Sequence, residues 1–489
     1  METPSAQRRL RYVIIGAGMA GLLAAIKLQE RGEADITIYE KGDSIGGTWR
    51  ENRYAGLTCD VPAHAYTYSF APNPDWSRFF ASGAEIKRYF EAVAVRYNIT
   101  RFIHFNTEIM SCTHTTAGWE LTLNDGSHDR ADVVIAATGV LHHPNIPALE
   151  GIEEFAGEAF HSARWKDGIS FSGRRAGIIG GGSTGVQLLC ALVEGADHVV
   201  HFNRSPQWIM PVKDFAYSAE ERRMFRENPQ LIEAIRNGEE YWNGVMRFNK
   251  AIIEPDSPEM AEIEAILLQN LEQSVTSPEL REKLRPTYRA ACKRLIYSER
   301  YYESIQNPKA ILETDAIARI EPKGVRMKSG VLHELDVLVL ATGFKADRFV
   351  RPMTVLGQNG ADLNQVWAKR PTAYLAVSIP QFPNFFLLNG PTGPVGNFSL
   401  IDIAERQWGY IEQLLEPIRA GRFSQVAPRP ETLADYEERR KVAARKTVFA
   451  SGCTSWYLDD EGIPSTWPWS YSRFAEEMAH ARLEEYDYA

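Results

Sequence analysis

The fold is decided by the stretch Tyr12-Val13-Ile14-Ile15-Gly16-Ala17-Gly18-Met19-Ala20-Gly21, near the start of a chain of 489 residues. Its first four residues are β-branched or aromatic and carry no charge, which predicts a buried parallel strand. Residues 22–31 favour a helix, and residues 35–40 predict a second strand that ends in Glu40. A strand, a glycine-rich turn, a helix and a strand in this order form a βαβ unit.

A second unit of the same kind begins at residue 176, with the turn Gly180-Gly181-Gly182-Ser183-Thr184-Gly185 between a predicted strand (176–179) and a predicted helix (186–194). In such units the first glycine permits a tight turn, the second lets a pyrophosphate approach the backbone, and the third allows close packing of helix on strand. These positions are Gly16, Gly18 and Gly21 in the first unit, and Gly180, Gly182 and Gly185 in the second. The chain is therefore predicted to be an α/β protein with two Rossmann-like dinucleotide-binding domains, and Ser183 and Thr184 are further candidate cofactor contacts.

One residue distinguishes the two units. Glu40 follows Gly16 at the same distance along the chain at which Arg204 follows Gly180. A carboxylate at this place accepts hydrogen bonds from ribose hydroxyls and repels a 2′-phosphate, whereas an arginine favours the phosphate. The first unit therefore fits the adenosine half of FAD, and the second fits NADPH better than NADH. A solvated surface arginine is the alternative for Arg204.

Repeats and composition shifts suggest where the domains begin and end. The run 133–139 resembles the run 337–343, and each is a predicted buried strand that ends in a Thr-Gly turn. Between residues 212 and 284 strand-like runs vanish, and Ser257-Pro258 and Ser277-Pro278 predict helix starts. We predict an FAD-binding domain in 1–148 and 373–489, the latter with the C-terminal tail, an NADP-binding domain in 149–211 and 286–372, and a helical insertion in 212–285.

The composition is that of an ordinary globular protein, with 44% hydrophobic and 24% charged residues. A net charge of −9 is unlike the basic surface on which nucleic-acid binding relies. The five cysteines (Cys59, Cys112, Cys190, Cys292 and Cys453) show no CxxC spacing, so we expect no disulfide framework, no zinc or iron–sulfur site, and a reducing compartment. For His142-His143, a turn is favoured over a metal site.

The N-terminal segment imitates a secretory signal, because Arg8, Arg9 and Arg11 precede an apolar stretch. That stretch instead holds the spaced glycines and then runs into charged residues, which disfavours a cleaved leader. No apolar run reaches the roughly twenty residues of a membrane helix. We therefore expect a soluble, cytoplasmic protein without nucleic-acid or membrane partners, and the sequence carries no signal for its oligomeric state.

Two other classes of enzyme have to be weighed. Residues Gly181-Gly182-Ser183-Thr184-Gly185 also satisfy GxSxG, so a serine hydrolase that uses Ser183 is one alternative. A hydrolase has no use for a second glycine-rich unit with Glu40, which favours FAD with NADPH. Flavoenzymes that reduce disulfides need a redox cysteine pair, which the spacing does not provide. The branch that activates dioxygen remains.

The stretch from Phe155 to Trp165 (FAGEAFHSARW) resembles the fingerprint of type I Baeyer–Villiger monooxygenases, F-x-G-x-x-x-H-x-x-x-W followed by Pro or Asp. Lys166 departs from the last position. Flavin-containing monooxygenases carry a similar string with Tyr or Phe in place of the tryptophan. An enzyme of that sister family, which oxygenates nitrogen or sulfur, is therefore the alternative.

Further strings resemble the same family and span nearly the whole chain. They are Gly46-Gly47-Thr48-Trp49 with Arg53 to Asp60, where Ala55 replaces the usual proline, Tyr66 to Phe70, Lys293-Arg294 with Tyr301-Tyr302, Ala341 to Phe344, and Gly452 to Tyr457. The last of these looks most like the aryl-ketone and steroid branches.

The resemblance implies an activity. NADPH reduces FAD, dioxygen gives a C4a-peroxyflavin, and a ketone, aryl or polycyclic, becomes an ester or lactone. It implies that Arg294 stabilises the developing negative charge with Asp60 as its partner, that Arg204, Ser205 and Lys293 hold the 2′-phosphate, and that Trp456 packs against NADP. His161 and Trp165 are expected at the linker between domains. The residues expected to contact FAD are Glu40, Gly47, Thr48, Trp49, Asp60, Tyr66, Ile109, Asn145 and Leu400.

Overall fold

The computed structural model describes residues 9–394, 396 and 398–489, so Arg8 of the signal-like segment lies outside the described residues. The strands are, in chain order, β1 Tyr12–Ile15, β2 Ile36–Tyr39, β3 Ile103–His104, β4 Ile109–Thr115, β5 Gly118–Leu123, β6 His128–Ala131, β7 Val133–Ala136, β8 Glu158–His161, β9 Arg175–Ile179, β10 His198–Phe202, β11 Ile209–Met210, β12 Ile296–Tyr297, β13 Ala310–Glu313, β14 Ile317–Glu321, β15 Gly324–Met327, β16 Leu332–Glu334, β17 Val337–Leu340, β18 Thr354–Leu356, β19 Phe385–Leu387, β20 Val426–Pro428 and β21 Tyr486–Tyr488.

The helices connect these strands or cover their faces. They are α1 Met19–Glu30, α2 Thr48–Glu51, α3 Gly83–Arg96, α4 Ser183–Leu192, α5 Ala219–Glu227, α6 Gln230–Arg236, α7 Glu239–Ile253, α8 Pro258–Ser274, α9 Pro278–Leu284, α10 Tyr301–Ile305, α11 Leu363–Val366, α12 Leu400–Arg419, α13 Pro430–Ala444 and α14 Tyr471–Ala479. Among the described residues, no helix is both long enough and apolar enough to cross a membrane.

The first glycine-rich unit builds a parallel sheet of five strands in the order β19-β7-β1-β2-β3. Alternate residues of β1 face opposite layers, because successive side chains of a strand point to opposite faces. Tyr12 and Ile14 pack against helices that include α1 and α12, whereas Val13 packs against the four-stranded sheet β18-β4-β5-β6. Burial on both faces explains why the strand is an unbroken apolar run.

The second unit repeats these three layers. Its parallel sheet has the order β13-β10-β9-β17-β8. Val337 and Val339 of β17 face a helical layer that includes α4, and Leu338 and Leu340 face the antiparallel sheet β14-β15-β16. The prediction of two Rossmann-like domains is confirmed, whereas the sequence analysis did not foresee either outer sheet.

The predicted helical insertion consists of α5 to α9, and both serine caps are confirmed. The Ser257 side chain accepts a hydrogen bond from the amide of Met260, and the Ser277 side chain accepts one from Leu280. One domain bound needs correction, since β18 pairs with β4 of the first domain although residues 354–356 were assigned to the NADP-binding domain. The chain thus returns to the first domain before residue 373, because Val355 is buried in that core. The other domain bounds stay predictions.

Tyr54 is buried between the two domains and helps to hold them together. Tyr54 follows α2 of the first domain, yet it is 7% exposed and packs in the core of the second. Its Oη donates to Oε1 of Gln187 at 2.8 Å and accepts from Oγ1 of Thr184 at 3.2 Å. The first domain therefore has one of its own side chains in the core of the second.

The expectation about the cysteines is wrong for one pair. Cys292 and Cys453 form a disulfide bond although 161 residues separate them. The fold brings the segment before Arg294 against the C-terminal segment, and a search for short spacings cannot detect such a pairing. Cys59, Cys112 and Cys190 are free. The expectation of a reducing compartment rested on the lack of closely spaced cysteine pairs, and this disulfide removes that support.

Candidate active site

A cavity of about 740 Å³ lies between the two glycine-rich turns. Residues from both units line it, which places the two predicted dinucleotide sites on one shared space. The predicted site residues in its wall are Gly16, Gly18, Glu40, Gly47, Thr48, Trp49, Asp60, Tyr66, Ile109, Gly180, Gly182, Ser183, Thr184, Arg294, Leu400 and Trp456.

Both helices that follow the turns present free backbone amides to this cavity. Gly18 caps α1 and Gly182 caps α4, and neither helix has a side-chain cap or an acidic residue in its first turn. The first amides of a helix lack partners within the helix, so such an end attracts phosphate. The two turns therefore fit the pyrophosphates of FAD and NADP.

The first and third glycines do what the motif predicts. Gly16 and Gly180 have φ of +103° and +126°, a region that residues with a Cβ rarely adopt. A Cβ on Gly21 would overlap the carbonyl oxygen of Gly16, and a Cβ on Gly185 would overlap that of Gly180. Gly21 and Gly185 thus act by packing and do not line the cavity.

Glu40 directly follows β2, one residue beyond the end of the strand in the structure, and is 4% exposed. Its Oε2 accepts from the amide of Ala17 at 2.8 Å, and its Oε1 accepts from the amide of Gly42 at 2.8 Å and from Nη1 of Arg50 at 2.6 Å. The carboxylate is thus fixed in place, and Oε2 keeps acceptor capacity on the cavity side for a ribose hydroxyl. Arg50 balances this buried charge and was not among the predicted site residues.

Arg204 and Lys293 come together from distant parts of the chain. Burial, and next the positive charge of Arg204, lower the pKa of Lys293. Neither side chain forms an ion pair with a carboxylate in the part of the chain that the structure describes. Arg204 and its neighbour Ser205 are exposed and lie outside the cavity wall. Lys293 lies outside that wall as well, and two cations without a carboxylate partner among the described residues fit a phosphate group.

Arg294 and Asp60 form an ion pair in the cavity wall. Nη2 of Arg294 donates to Oδ2 of Asp60 at 2.8 Å, Nε donates to the same oxygen at 3.2 Å, and Nη1 donates to the carbonyl oxygen of Gly396. Both side chains are 28% exposed. Burial is the largest single influence and opposes the charge of Arg294, but Asp60 together with Tyr457 and Tyr297 outweighs it, so the pKa of Arg294 is raised. The guanidinium therefore stays charged, with N–H donors left for a ligand.

Aromatic groups surround this pair. Nε1 of Trp49 donates to Oη of Tyr66 at 3.3 Å, and burial raises the pKa values of Tyr297 and Tyr457. Neither Tyr297 nor Tyr457 was among the predicted site residues. Both phenols are neutral at physiological pH, so they add polar contacts without adding charge.

Asn389 is another residue that the sequence analysis did not place at the site. It lines the cavity, and its buried Oδ1 has no hydrogen-bond partner among the described residues. A buried acceptor of this kind is costly unless a ligand donates to it. The N–H of a flavin ring is a donor that fits, which supports FAD in this cavity.

Some predicted residues lie elsewhere. Asn145 is exposed outside the cavity wall, and its amide donates to the carbonyl oxygen of Gly343 at 2.8 Å. A ring nitrogen of His161 (Nε2) lies 3.0 Å from the same carbonyl oxygen, which places both residues at the crossing between the domains. Trp165 packs against Phe160 and Phe171. Lys166 pairs with Glu158 at the surface, so this departure from the fingerprint does not touch the cavity.

Ser183 lines the cavity but has no catalytic base. Among the described residues, no hydrogen bond joins Ser183 to a histidine. The buried His201 lies close to this turn, and its two ring nitrogens contact the carbonyl oxygen of Gly180 and Oη of Tyr301. A serine nucleophile needs such a base within hydrogen-bond reach, so the geometry does not support the hydrolase hypothesis.

Comparisons with known proteins agree with this geometry. A family model described as FMO-like, flavin-binding monooxygenase-like, matches residues 9–238. An uncharacterized monooxygenase of Mycobacterium tuberculosis is 40% identical over 474 residues, covering 97% of this chain and 95% of the relative. A Baeyer–Villiger monooxygenase of Streptomyces coelicolor is 33% identical over 490 residues, covering 99% and 94%.

Solved structures show the same likeness. The structure of cyclohexanone monooxygenase from Rhodococcus sp. Phi1 bound to NADP+ is 28% identical with a TM-score of 0.87, covering 99% of each chain. An oxidized steroid monooxygenase bound to NADP is 27% identical with a TM-score of 0.86, covering 98% of this chain and 99% of the other.

The fold and the site thus define a flavoprotein monooxygenase that uses FAD and NADP. Within this class the chain belongs to the type I Baeyer–Villiger monooxygenase family. The resemblance of the fingerprint is confirmed, and the serine hydrolase alternative is wrong.

Proposed function

We propose that this enzyme inserts one oxygen atom next to the carbonyl group of a ketone and releases an ester or lactone. One observation carries the proposal. The guanidinium of Arg294, held by Asp60 at 2.8 Å, lies in the wall of a cavity that both dinucleotide turns line. A fixed cation between the two cofactor sites can stabilise negative charge that develops on oxygen during the reaction.

FAD belongs to the first unit in this proposal. The amides of α1 take its pyrophosphate, Glu40 takes its ribose, and the cavity wall takes the ring system. The residues in that wall are Gly47, Thr48, Trp49, Asp60, Tyr66, Ile109, Asn389 and Leu400. Asn145 drops out of the set, because it lies at the crossing between domains.

NADPH belongs to the second unit. The amides of α4 take its pyrophosphate, with Ser183 and Thr184 beside it, and Arg204, Ser205 and Lys293 take the 2′-phosphate. Trp456 is 44% exposed and lines the cavity, so its ring is available to pack against the nicotinamide half.

Arg294 stabilises negative charge during the reaction. Bound FAD, with NADPH as reductant, would supply the chemistry that activates dioxygen and provides the oxygen atom of the product. Attack on a ketone carbonyl places negative charge on oxygen, and a preoriented guanidinium lowers the energy of that state. Asp60 keeps Arg294 oriented, and the raised pKa of Arg294 keeps it charged across the working pH range.

Aromatic residues in the cavity wall favour an apolar ketone, aryl or polycyclic. Phe344 and Phe398, which the proposal assigns to neither cofactor, line the cavity together with Trp49, Tyr66 and Trp456. Flat rings pack well against aromatic side chains, in offset or edge-to-face contacts worth about 1 kcal/mol each beyond area burial.

Product analysis tests the proposal. The enzyme is incubated with NADPH, air and a library of ketones and sulfides, and the products are identified by mass spectrometry. We expect esters or lactones from ketones. The Arg294→Ala variant should still consume NADPH but lose ester formation by about a hundredfold or more.

A matched control is Arg300→Ala, which removes an exposed arginine that pairs with Glu194 away from the cavity; it should leave the products unchanged. Sulfoxides without any ester across the library would instead assign the enzyme to the sulfur- or nitrogen-oxygenating sister family. Ester formation that survives Arg294→Ala would remove Arg294 from the mechanism.

A further inference from the structure

The C-terminal segment is bonded covalently to the segment that carries Arg294. Cys292 stands two residues before Arg294, and its disulfide partner Cys453 stands four residues before Tyr457. Both cysteines are buried in a cluster that also contains Leu295 and Tyr457. The chain thus brings a late segment to the ion pair and fixes it there.

Tyr457 is held on several sides within this segment. It is 2% exposed, and its ring centroid lies 4.3 Å from that of Phe449. The carbonyl oxygen of Tyr457 accepts from the amide of Ser465 at 2.7 Å and from Oγ of Ser465 at 3.0 Å. Its side chain therefore has little freedom to turn away.

The phenol of Tyr457 points to the Arg294 guanidinium. A Cβ on Gly396 would overlap Oη of Tyr457, and the carbonyl oxygen of the same Gly396 accepts from Nη1 of Arg294. Burial raises the pKa of Tyr457 to about 12, while the charge of Arg294 opposes the rise. The phenol therefore stays protonated beside a permanent cation, with its oxygen free to accept from an arginine N–H.

We propose that Tyr457 is a positioning residue that, together with Asp60 and Gly396, fixes the direction in which Arg294 presents its guanidinium to the cavity. Asp60 binds the Nε–Nη2 edge and the carbonyl of Gly396 binds Nη1. The phenol of Tyr457 lies against the same Gly396 and interacts with the Arg294 charge. The disulfide between Cys292 and Cys453 joins the two segments that carry Arg294 and Tyr457. The inference rests on the proposed function, because it concerns the working direction of Arg294.

Removal of the phenol hydroxyl tests this role. In the Tyr457→Phe holoenzyme we expect about tenfold less ester per NADPH consumed, because small errors in the placement of a catalytic group are costly. The KM for NADPH and the melting temperature should stay near those of the parent enzyme. Tyr302→Phe is the matched control, since Tyr302 is equally buried in the second domain and its Oη has no partner among the described residues.

A double-mutant cycle separates positioning from simple packing. Tyr457 and Asp60 act on one guanidinium, so the losses of Tyr457→Phe and Asp60→Asn should not add when the two changes are combined. Additive losses, or a Tyr457→Phe enzyme that melts earlier yet keeps the parent ratio of ester to NADPH, would overturn the inference. The proposed function is judged separately by Arg294→Ala, which must lose ester formation for either claim to hold.

Cys453→Ser provides a second variant should Tyr457→Phe fold poorly. It removes the covalent tether but leaves the phenol, the Ser465 contacts and the Phe449 packing in place. We expect a drop in ester per NADPH in the same direction as in Tyr457→Phe, but only about threefold. An unchanged ratio would show that the disulfide has no part in holding Tyr457 against Arg294.

Discussion

The two glycine-rich units share one backbone design but differ in how they treat charge. Glu40 of the first unit is buried, accepts hydrogen bonds from two backbone amides and forms an ion pair with Arg50. Arg204 of the second unit is exposed, has no carboxylate partner in the described part of the chain, and stands beside another cation, Lys293. The Glu40 carboxylate thus has hydrogen-bond and ion-pair partners without a ligand, whereas Arg204 and Lys293 can both pair with a bound anion.

This difference fits the roles that we propose for the two cofactors. An enclosed, neutralised site suits a cofactor that stays bound through many cycles, as proposed for FAD. An exposed site with unpaired cations attracts its ligand through solution and releases it when the balance changes, as proposed for NADPH. The charge of the residue after the second strand of each unit therefore distinguishes a tightly bound cofactor from one that exchanges in each cycle.

Valine at the third glycine of each unit should have the largest effect. Gly21→Val and Gly185→Val both force a side chain into a carbonyl oxygen, which costs about 3 kcal/mol of folding free energy through overpacking. We expect Gly21→Val to purify with little FAD, and Gly185→Val to keep FAD but lose NADPH oxidation. Flavin absorbance per protein measures the FAD content of each variant, the rate of NADPH consumption measures NADPH oxidation, and the melting temperature measures the loss of stability.

A suitable control is Gly195→Ala, because a Cβ at Gly195 meets nothing within 4 Å. If Gly21→Val retained its full flavin content, the assignment of FAD to the first unit would be contradicted.

Loss of the exposed arginine should have the next largest effect. Arg204→Ala removes a charged contact to the 2′-phosphate, worth about 2 kcal/mol, so the KM for NADPH should rise about thirtyfold. The KM for NADH should hardly change, since NADH lacks that phosphate. Steady-state kinetics with both nucleotides give the comparison, and equal rises for the two would rule out the phosphate role of Arg204.

The pH dependence of NADPH binding should show a smaller effect. Burial and the charge of Arg204 lower the pKa of Lys293, so Lys293 loses its proton at a lower pH than an ordinary lysine. A bound phosphate favours the charged form, so the KM for NADPH should rise a few-fold as pH increases through that pKa. Lys293→Arg should abolish the rise, because arginine stays charged.

Kinetics with NADH serve as the reference, and no rise is expected there. The same rise with both nucleotides would place the titrating group away from the phosphate.

A surface ion pair between the domains should have the smallest effect. Arg53 and Asp167 bridge the domains at 2.8 Å, but both side chains are exposed. Exposed pairs contribute up to about 1 kcal/mol, so Asp167→Asn should change the free energy of unfolding by about 0.5 kcal/mol or less. Chemical denaturation measures it, and a loss of several kcal/mol would show that this bridge, and not buried contacts, holds the domains together.

The sequence predicts those parts of the fold that depend on local order along the chain. The strand Tyr12–Ile15 appears with the predicted bounds, and the Ser257 cap follows from a serine and a proline side by side. The two outer sheets were missed, because their strands have mixed burial, as in His128–Ala131.

The candidate site divides in the same way. Arg294 and Asp60 were found through motifs, and their contact at 2.8 Å agrees with the partnership that the resemblance implied. Arg50, Asn389 and Tyr457 were missed as site residues because the role of each depends on residues that are brought near it only by the fold. A buried orphaned oxygen or a phenol beside a guanidinium depends on tertiary packing, for which a single sequence contains no local signal.

The insertion of Tyr54 into the core of the second domain has a thermodynamic consequence. Tyr54 belongs to the first domain, but its ring packs in the core of the second and its hydroxyl contacts Gln187 and Thr184. When either domain unfolds, the other loses this packing and these hydrogen bonds as well. The melting of one domain must therefore draw the other with it, so heating should give one cooperative transition and not two. Fragments divided at the boundary would each lack part of the shared interior and should aggregate rather than refold alone.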